Sequence, residues 1–97
     1  MSDEQNTNLD EAVPVSTTDA VPQMLANELL IYLPKLSVSL HLNECMSLIW
    51  LMCDGKKNIS QITSELQEAY PEANKDIEID VTQAIYALAQ NGAVTLE

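Results

Sequence analysis

The chain has 97 residues, with 15 Asp and Glu against 4 Lys and Arg, and a formal net charge of −11. This length fits one small domain. The acidic balance argues against a surface for nucleic acid or for an anionic membrane, because both are bound through cationic side chains. Polar and acidic residues follow Met1, so no secretory signal is predicted, and no apolar stretch reaches the roughly 18 residues that suggest a membrane span.

Residues 1–22 differ in composition from the rest of the chain. They contain five acids, no Lys or Arg, and two interrupting prolines, Pro14 and Pro22. No hydrophobic periodicity indicates a packed element there. The composition therefore predicts a disordered acidic tail over residues 1–22 and a folded domain over residues 23–97.

Two segments after the tail have the features of strands. Residues 24–33 are rich in Leu, Ile and Tyr, which predicts a strand or a hairpin that ends at Pro34. In residues 36–42, Leu and Val alternate with Ser37, Ser39 and His41. This period of two is typical of a strand with one face in the core and the other in solvent.

The first predicted helix follows Asn43, which is a good N-cap residue. The helix should continue to about Cys53 and stop at Asp54-Gly55, where glycine can adopt a left-handed cap. From Cys45 to Cys53 only Ser47 is polar. A helix that covers one core needs a single apolar stripe. This helix is therefore either buried from several directions or partly covered by another molecule.

Two further helices are predicted. Ser60 is expected to cap the second, which ends before Pro71 and should carry Ile62, Leu66 and Ala69 on its apolar face. The third should run from about residue 77 to residue 91, with Gly92 as its C-cap and a short terminal segment that is compatible with a strand. Strands followed by three helices, with the last two arranged as a helix-turn-helix, predict an α+β, winged helix-turn-helix-like domain.

Few residues in this sequence have the chemistry of a catalytic or metal site. His41 is the only histidine, on the solvent face of a predicted strand, whereas Cys45 and Cys53 lie in an apolar setting. One histidine and a Cys-x7-Cys pair do not match a zinc site, and two glycines cannot build a phosphate-binding loop. The sequence therefore predicts a protein that is not an enzyme and that has no metal and no cofactor.

The two cysteines also bear on the cellular compartment. If both lie on one helix, eight residues apart, their Cα atoms are ~12 Å apart, beyond the ~7 Å limit for a disulfide. Free thiols in a chain without a secretion signal favour a cytoplasmic location.

Two binding functions remain open. A helix-turn-helix suggests DNA, but residues 76–92 of the third predicted helix contain three acids and no Lys or Arg, which would repel phosphates. The alternative is a peptide that pairs with the strand over residues 37–42 as a sheet edge. The third helix would then supply a floor, although the same row of apolar residues can equally belong to the core. That row consists of Val81, Ala84, Ile85 and Leu88.

Residues 42–66 resemble the signature of the PqqD-like proteins, peptide chaperones in the biosynthesis of pyrroloquinoline quinone and other peptide-derived natural products. The matching blocks begin with Leu42-Asn43 and Cys53-Asp54-Gly55. The others are Ile49-Trp50, Ile59-Ser60, Ile62, Leu66, Tyr70-Pro71, Asp80-Val81, Leu88 and Gly92. The resemblance spans about residues 26–95. One departure is the loop at Pro34-Lys35, which lacks the glycine that is common there.

The resemblance implies a three-stranded antiparallel sheet followed by three helices, the fold that recognises the leaders of ribosomally synthesised and post-translationally modified peptides (RiPPs). It implies that a leader adds to the third strand and packs against the third helix. The peptide is then presented to a modifying enzyme, in many cases a radical S-adenosylmethionine (SAM) protein. The implied peptide-binding residues are Ser37, Val38, Ser39, Leu40, His41, Leu42, Val81, Ala84, Ile85 and Leu88.

The fold implied by the resemblance also bears on the apolar first helix. That helix would pack under the sheet and against both other helices, with Trp50 in the core rather than facing an enzyme. Cys53 is expected to be a buried small hydrophobe and Asp54 a turn residue. A winged-helix transcription regulator and an adaptor that binds only an enzyme stay as alternative functions.

Overall fold

The computed structural model describes residues 11–97, so residues 1–10 of the predicted tail lie outside the described residues. Its main sheet is antiparallel with the strand order β2-β3-β4, formed by Val21–Leu25, Glu28–Leu33 and Val38–Leu42. The predicted hairpin and the alternating strand are thus both confirmed. None of the helices in residues 11–97 is long and apolar enough to cross a membrane.

The turn between β3 and β4 differs from the prediction at Ser37. Leu33 pairs with Val38, so residues 34–37 form the turn, closed by a hydrogen bond from the Leu36 amide to the Leu33 carbonyl. Ser37 has a φ of 55° and lies in this turn rather than in β4. Since the Pro34-Lys35 loop has no glycine, Ser37 itself takes the left-handed conformation that closes it.

The chain is ordered earlier than its composition predicts. Pro14–Ser16 forms β1, which pairs antiparallel with β5, Val94–Leu96, at the C-terminal end of the domain. The Ser16 amide also donates to the Cys53 carbonyl at 2.8 Å, and Pro14 is fully buried. These pairings involve residues far apart in the sequence, so a short polar segment without periodicity gives no sign of them.

The first helix, α1, spans Glu44–Leu51, and the predicted cap at Asn43 is confirmed. The Asn43 side chain accepts a hydrogen bond from the Met46 amide at 2.8 Å, which satisfies one of the otherwise unpaired amides of the first turn. The helix ends two residues before the expected Cys53. Gly55 has a φ of 82°, as expected for a glycine in the following turn.

The second helix, α2, spans Ile59–Ala69 and is capped by Asn58, so the predicted cap at Ser60 is wrong. The Asn58 side chain accepts from the Gln61 amide, and the Gln61 side chain accepts from the Asn58 amide, which together form a capping box. This start places Ile59 in the core with Ile62 and Leu66. Ala69, expected on the apolar face, is exposed at the last turn of the helix.

The third helix, α3, spans Asn74–Gln90 and begins three residues before the predicted start, after a single 3-10 turn at Pro71–Ala73. Gly92 has a φ of 82° at its C-terminal end. Within residues 11–97, α1, α2 and α3 all contribute to one apolar core with the main sheet, and this core includes Trp50. The Trp50 indole donates to the Ala93 carbonyl at 3.1 Å, so its expected place in the core is confirmed.

Ser47, the polar residue within the apolar run, connects α1 to the sheet. Its hydroxyl donates to the Leu42 carbonyl and accepts from the Leu29 amide, both at 2.9 Å. Both bonds are buried. This side chain therefore fixes the C-terminal end of β4 and the start of β3 relative to α1, and so positions the edge of the sheet.

Candidate functional site

Strand β4 is an edge of the main sheet. Within residues 11–97 it pairs with β3 on one side and with no strand on the other. In an antiparallel pair, successive N–H and C=O groups point alternately to the partner strand and away from it. Half of the backbone polar groups of β4 are therefore available to an additional strand.

Helix α3 lies alongside β4, as contacts at both ends of the strand show. At the start of β4, Leu36 of the preceding turn lies against Gly92, at the end of α3. Beyond the end of β4, Asn43 and Met46 line a groove with Gln83 and Ala87 of α3. The helix thus runs antiparallel to the strand, and an open groove lies between α3 and the start of α1, next to the C-terminal end of β4. The groove has a volume of about 300 Å³ and is lined by Asn43, Cys45, Met46, Asp80, Gln83, Ala84 and Ala87.

The predicted strand residues fall into exposed and buried groups. Val38, Ser39 and His41 are exposed, Leu40 is half-buried and Leu42 is buried in the core. The alternation correctly predicts that Ser39 and His41 are exposed. Of the apolar residues of β4 that it assigns to the core, only Leu42 is fully buried.

The predicted floor on α3 lies mostly beneath the groove. Val81, Ile85 and Leu88 are no more than 1% exposed, and Ala84, at 7%, is the member of this row that lines the groove. The four side chains are therefore core residues in the structure without a bound peptide. A peptide laid along α3 would contact Ala84 and the exposed neighbours of the buried row.

Sequence reasoning missed the residues that form the surface of the groove. On α3 these are Asp80, Gln83 and Ala87, which recur at helical spacing one position away from the core row. Their spacing was a usable signal. A search for apolar periodicity does not detect this spacing, because the side chains are small or polar and the search selects the core face of the helix instead.

One histidine–carboxylate pair joins β4 to β3. The His41 imidazole and the Glu28 carboxylate are 2.7 Å apart across β4 and β3, and both side chains are largely exposed. An exposed pair of this kind contributes little to stability.

The two thiols differ sharply in environment. Cys53 is buried, its thiol donates to the Ile49 carbonyl at 3.2 Å, and burial followed by the charge of Asp54 raises its pKa to about 12. Cys45 is exposed in the groove, and partial burial, followed by the negative charge of Asp80, raises its pKa. A raised pKa means little thiolate at neutral pH, so neither cysteine has the character of an activated nucleophile.

Asp54 of the Cys-Asp-Gly block organises the turn between α1 and α2. Its carboxylate accepts a hydrogen bond from the Lys56 amide at 2.9 Å and lies 3.6 Å from the Lys57 ammonium. The Lys56 hydrogen bond is the main reason that the pKa of Asp54 is lowered. Its predicted role in the turn is confirmed. No group of three or more His, Cys, Asp or Glu side chains arranged to hold a metal occurs in the described part of the chain.

The sequence matches the family model of coenzyme PQQ synthesis protein D, PqqD, over residues 28–94. The chain belongs to the PqqD family. The resemblance seen in the Leu-Asn and Cys-Asp-Gly blocks is thereby confirmed, over nearly the same range. No curated protein matches the sequence significantly.

Among solved structures, the PqqD-family chain is similar to TbiB1 in complex with the TbiA(beta) leader peptide. The TM-score is 0.71 at 18% sequence identity, and the match covers 82% of this chain and 93% of TbiB1. At this identity the likeness establishes a shared fold. The predicted α+β architecture, a three-stranded antiparallel sheet followed by three helices, is confirmed.

Proposed function

We propose that this PqqD-family protein is a non-catalytic recognition protein for the leader of a ribosomally synthesised precursor peptide. The leader adds to β4 as a further antiparallel or parallel strand and packs its side chains against α3. The protein then presents the remainder of the precursor to a modifying enzyme, such as a radical SAM protein, in the cytoplasm. Two free thiols are consistent with a reducing compartment.

The observation that carries this proposal is the juxtaposition of an unpaired strand edge and a groove. Backbone groups on the free side of β4 can supply a ladder of hydrogen bonds, and the groove along α3 can accept alternate side chains of the added strand. A leader peptide is bound by TbiB1, whose fold this chain shares.

The chemistry of the groove favours an apolar or mildly basic peptide. The groove lining includes Met46, Ala84 and Ala87, and its one charged member is Asp80. With a net charge of −11, the protein would repel a strongly acidic leader at long range. Affinity should therefore depend mainly on backbone pairing and apolar contacts.

DNA binding is less well supported. The exposed side of α3, which would serve as the recognition helix, carries Asp76, Glu78 and Asp80 against the single base Lys75. Placing this surface against phosphates would be repulsive. A protein that recognises only an enzyme would leave the free edge of β4 without a role.

The experiment that tests the proposal is affinity capture of the tagged protein from its own cells, followed by mass spectrometry of the bound peptides. We expect recovery of a precursor peptide whose synthetic leader binds the purified protein. Recovery of DNA, or of an enzyme with no peptide and no leader affinity, would contradict the proposal.

Two proline variants then test strand addition at β4. Val38 and Ser39 are both exposed and adjacent, so their N–H groups point to opposite sides of the strand. Proline removes the N–H in each case. We expect one variant to stay folded and lose the leader, and the other to weaken the β3–β4 ladder. Full leader affinity in both variants would rule out strand addition.

A further inference from the structure

The apolar run of α1 is only partly used by the fold. Ile49 and Trp50 are buried, whereas Leu48 and Leu51 are 37% and 56% exposed on another side of the same helix. The apolar surface of α1 therefore includes a side that no other part of residues 11–97 covers. Exposed leucines one turn apart are typical of a contact surface.

These leucines belong to a cleft that is larger than the groove beside β4. It has a volume of about 520 Å³ and lies between α1, the end of α2 and the first half of α3. Met24 of β2 and Tyr70 after α2, which are 63% and 53% exposed, stand on its walls. The cleft adjoins the groove beside β4, since Cys45 and Asp80 line both.

The charge at this cleft has one sign. Of the described residues that line it, only Glu44 and Asp80 are charged, and neither has a cationic partner within residues 11–97. Asp76 lies one helical turn before Asp80 on α3 and adds a third acid to the same side. An apolar floor with an acidic rim is complementary to an apolar segment flanked by Lys or Arg.

The same charges argue against two other occupants. A second copy of this chain would bring a further −11 to an acidic rim. Residues 1–10 of the chain itself contain Asp3, Glu4 and Asp10 and no Lys or Arg, so they are also repelled.

The walls of the cleft indicate the form of the occupant. Helical side chains from α1 and α3 make up most of the walls, and β2, the other edge strand of the main sheet, contributes only Met24 to the lining. Side chains rather than a run of backbone groups therefore dominate this surface, which disfavours an extended peptide. An amphipathic helix, by contrast, binds a side-chain groove through apolar anchors at helical spacing.

We propose that this cleft docks a cationic amphipathic helix of a partner protein, with Leu-type side chains on one face and Lys or Arg beside them. The docking site goes beyond leader binding and does not depend on it, because its anchors on α1, Leu48 and Leu51, lie outside the groove and no residue of β4 lines the cleft. Its position next to the groove would bring the partner close to any peptide held on β4.

The probe for this site is a synthetic amphipathic helix of about 14 residues with Leu on one face and Lys on the other. A second peptide has Glu in place of every Lys. Binding is measured by fluorescence anisotropy at about 0.15 M salt, where exposed charges are screened beyond ~8 Å. The test variant is Leu51→Ser, and the matched control is Ile79→Ser, because both residues are helical and 56% exposed while Ile79 lies outside the cleft.

We expect Leu51→Ser to weaken probe binding about tenfold, the effect of losing one buried aliphatic anchor, and Ile79→Ser to leave it unchanged. The Glu peptide should bind at least tenfold more weakly than the Lys peptide. Equal effects of the two serine variants, or equal binding of the two peptides, would overturn the proposal. So would a dimer in sedimentation that Leu51→Ser dissociates, since a second copy would then be the occupant.

Failure of this site and failure of leader binding can be told apart. The folded proline variant of β4 should still bind the Lys peptide, and Leu51→Ser should still bind the leader. Loss of the Lys peptide in the β4 variant would place the probe on the strand edge and overturn the separate site.

Discussion

Leu36, in the turn before β4, lies against Gly92, at the end of α3, so closely that a Cβ on Gly92 would be 2.7 Å from the Leu36 Cδ1 atom. This contact joins two segments that are 56 positions apart in the sequence. It holds the turn of the strand against the end of the helix and thereby closes one end of the space between β4 and α3. A Cβ at position 92 would require the Leu36 side chain to move.

Gly92→Ala should destabilise the protein for two reasons, a φ of 82° and the approach of Leu36. The left-handed conformation alone costs about 1–2 kcal/mol for a residue with a Cβ. Gly55→Ala is the matched control, because Gly55 has the same φ but a Cβ there would meet only ordinary contacts, the nearest at 3.4 Å. Denaturant unfolding should therefore show a larger loss for Gly92→Ala. If the double variant Leu36→Ala, Gly92→Ala is no more stable than Gly92→Ala alone, the contact is not the cause.

Ser47→Ala should lower the free energy of unfolding by about 1–3 kcal/mol, because it leaves the buried Leu29 amide and the Leu42 carbonyl without their partner. Ser64→Ala, at an exposed position in the middle of α2, should change stability by no more than about 0.5 kcal/mol. Chemical denaturation of the two variants measures the difference. A loss of the same size in both would mean that the bridging hydrogen bonds contribute nothing.

The stability of the protein should fall at alkaline pH because of Cys53. Its pKa is about 12 in the folded chain against 9.0 for an ordinary cysteine, so between these pH values the unfolded chain loses the proton and the folded chain keeps it. The folded state then binds more protons, and the free energy of unfolding declines by up to about 1.4 kcal/mol per pH unit in that window. Below pH 9 the contribution is fully present.

The comparison that isolates this effect is Cys53→Ala. The variant should be less stable at neutral pH, because it removes a buried side chain, but its stability should decline less steeply above pH 9. Unfolding curves of both proteins at several pH values give the two slopes. Identical slopes would contradict a role for the Cys53 thiol.

A bulky side chain on α3 should block peptide binding without opening the core. Ala87 is half-buried and lines the groove beside β4, so Ala87→Trp fills space that peptide side chains would occupy. We expect the affinity for the captured leader to fall at least about tenfold, measured by calorimetry. Tyr86→Trp, at the neighbouring exposed position outside the groove, is the control and should bind normally. Unchanged affinity in Ala87→Trp would remove α3 from the binding site.

Local patterns were sufficient for much of the fold. The alternation in residues 36–42 is the pattern of a strand with one face in solvent, Asn43 has the chemistry of an N-cap, and the blocks around Cys53 identify the family. Each of these signals depends on side chains within a few residues of one another. The predicted cap at Ser60 was wrong by two positions. Gln61 lies three residues after Asn58, the spacing of a capping box, and this local signal favours Asn58 as the cap.

Long-range pairing accounts for what local patterns missed. Pro14–Ser16 becomes a strand only because Val94–Leu96 is brought beside it, and nothing in the segment itself indicates this. On α3, apolar periodicity selected the buried row, whereas the groove is lined by Asp80, Gln83, Ala84 and Ala87. Apolar periodicity cannot distinguish a face that packs in the core from a face that binds a ligand, since the second is also buried once the ligand is bound.

The sequence by itself determined the family, the order of the main-sheet strands and the three helices that follow them, the acidic surface and the excess of apolar residues on the first helix. Only the tertiary structure decided which apolar residues of that helix are covered. Ile49 and Trp50 face the core while Leu48 and Leu51 face an open cleft, because the small sheet and two helices enclose only part of the circumference of α1. Burial is a property of what packs against a side chain, and that depends on residues far away in the chain.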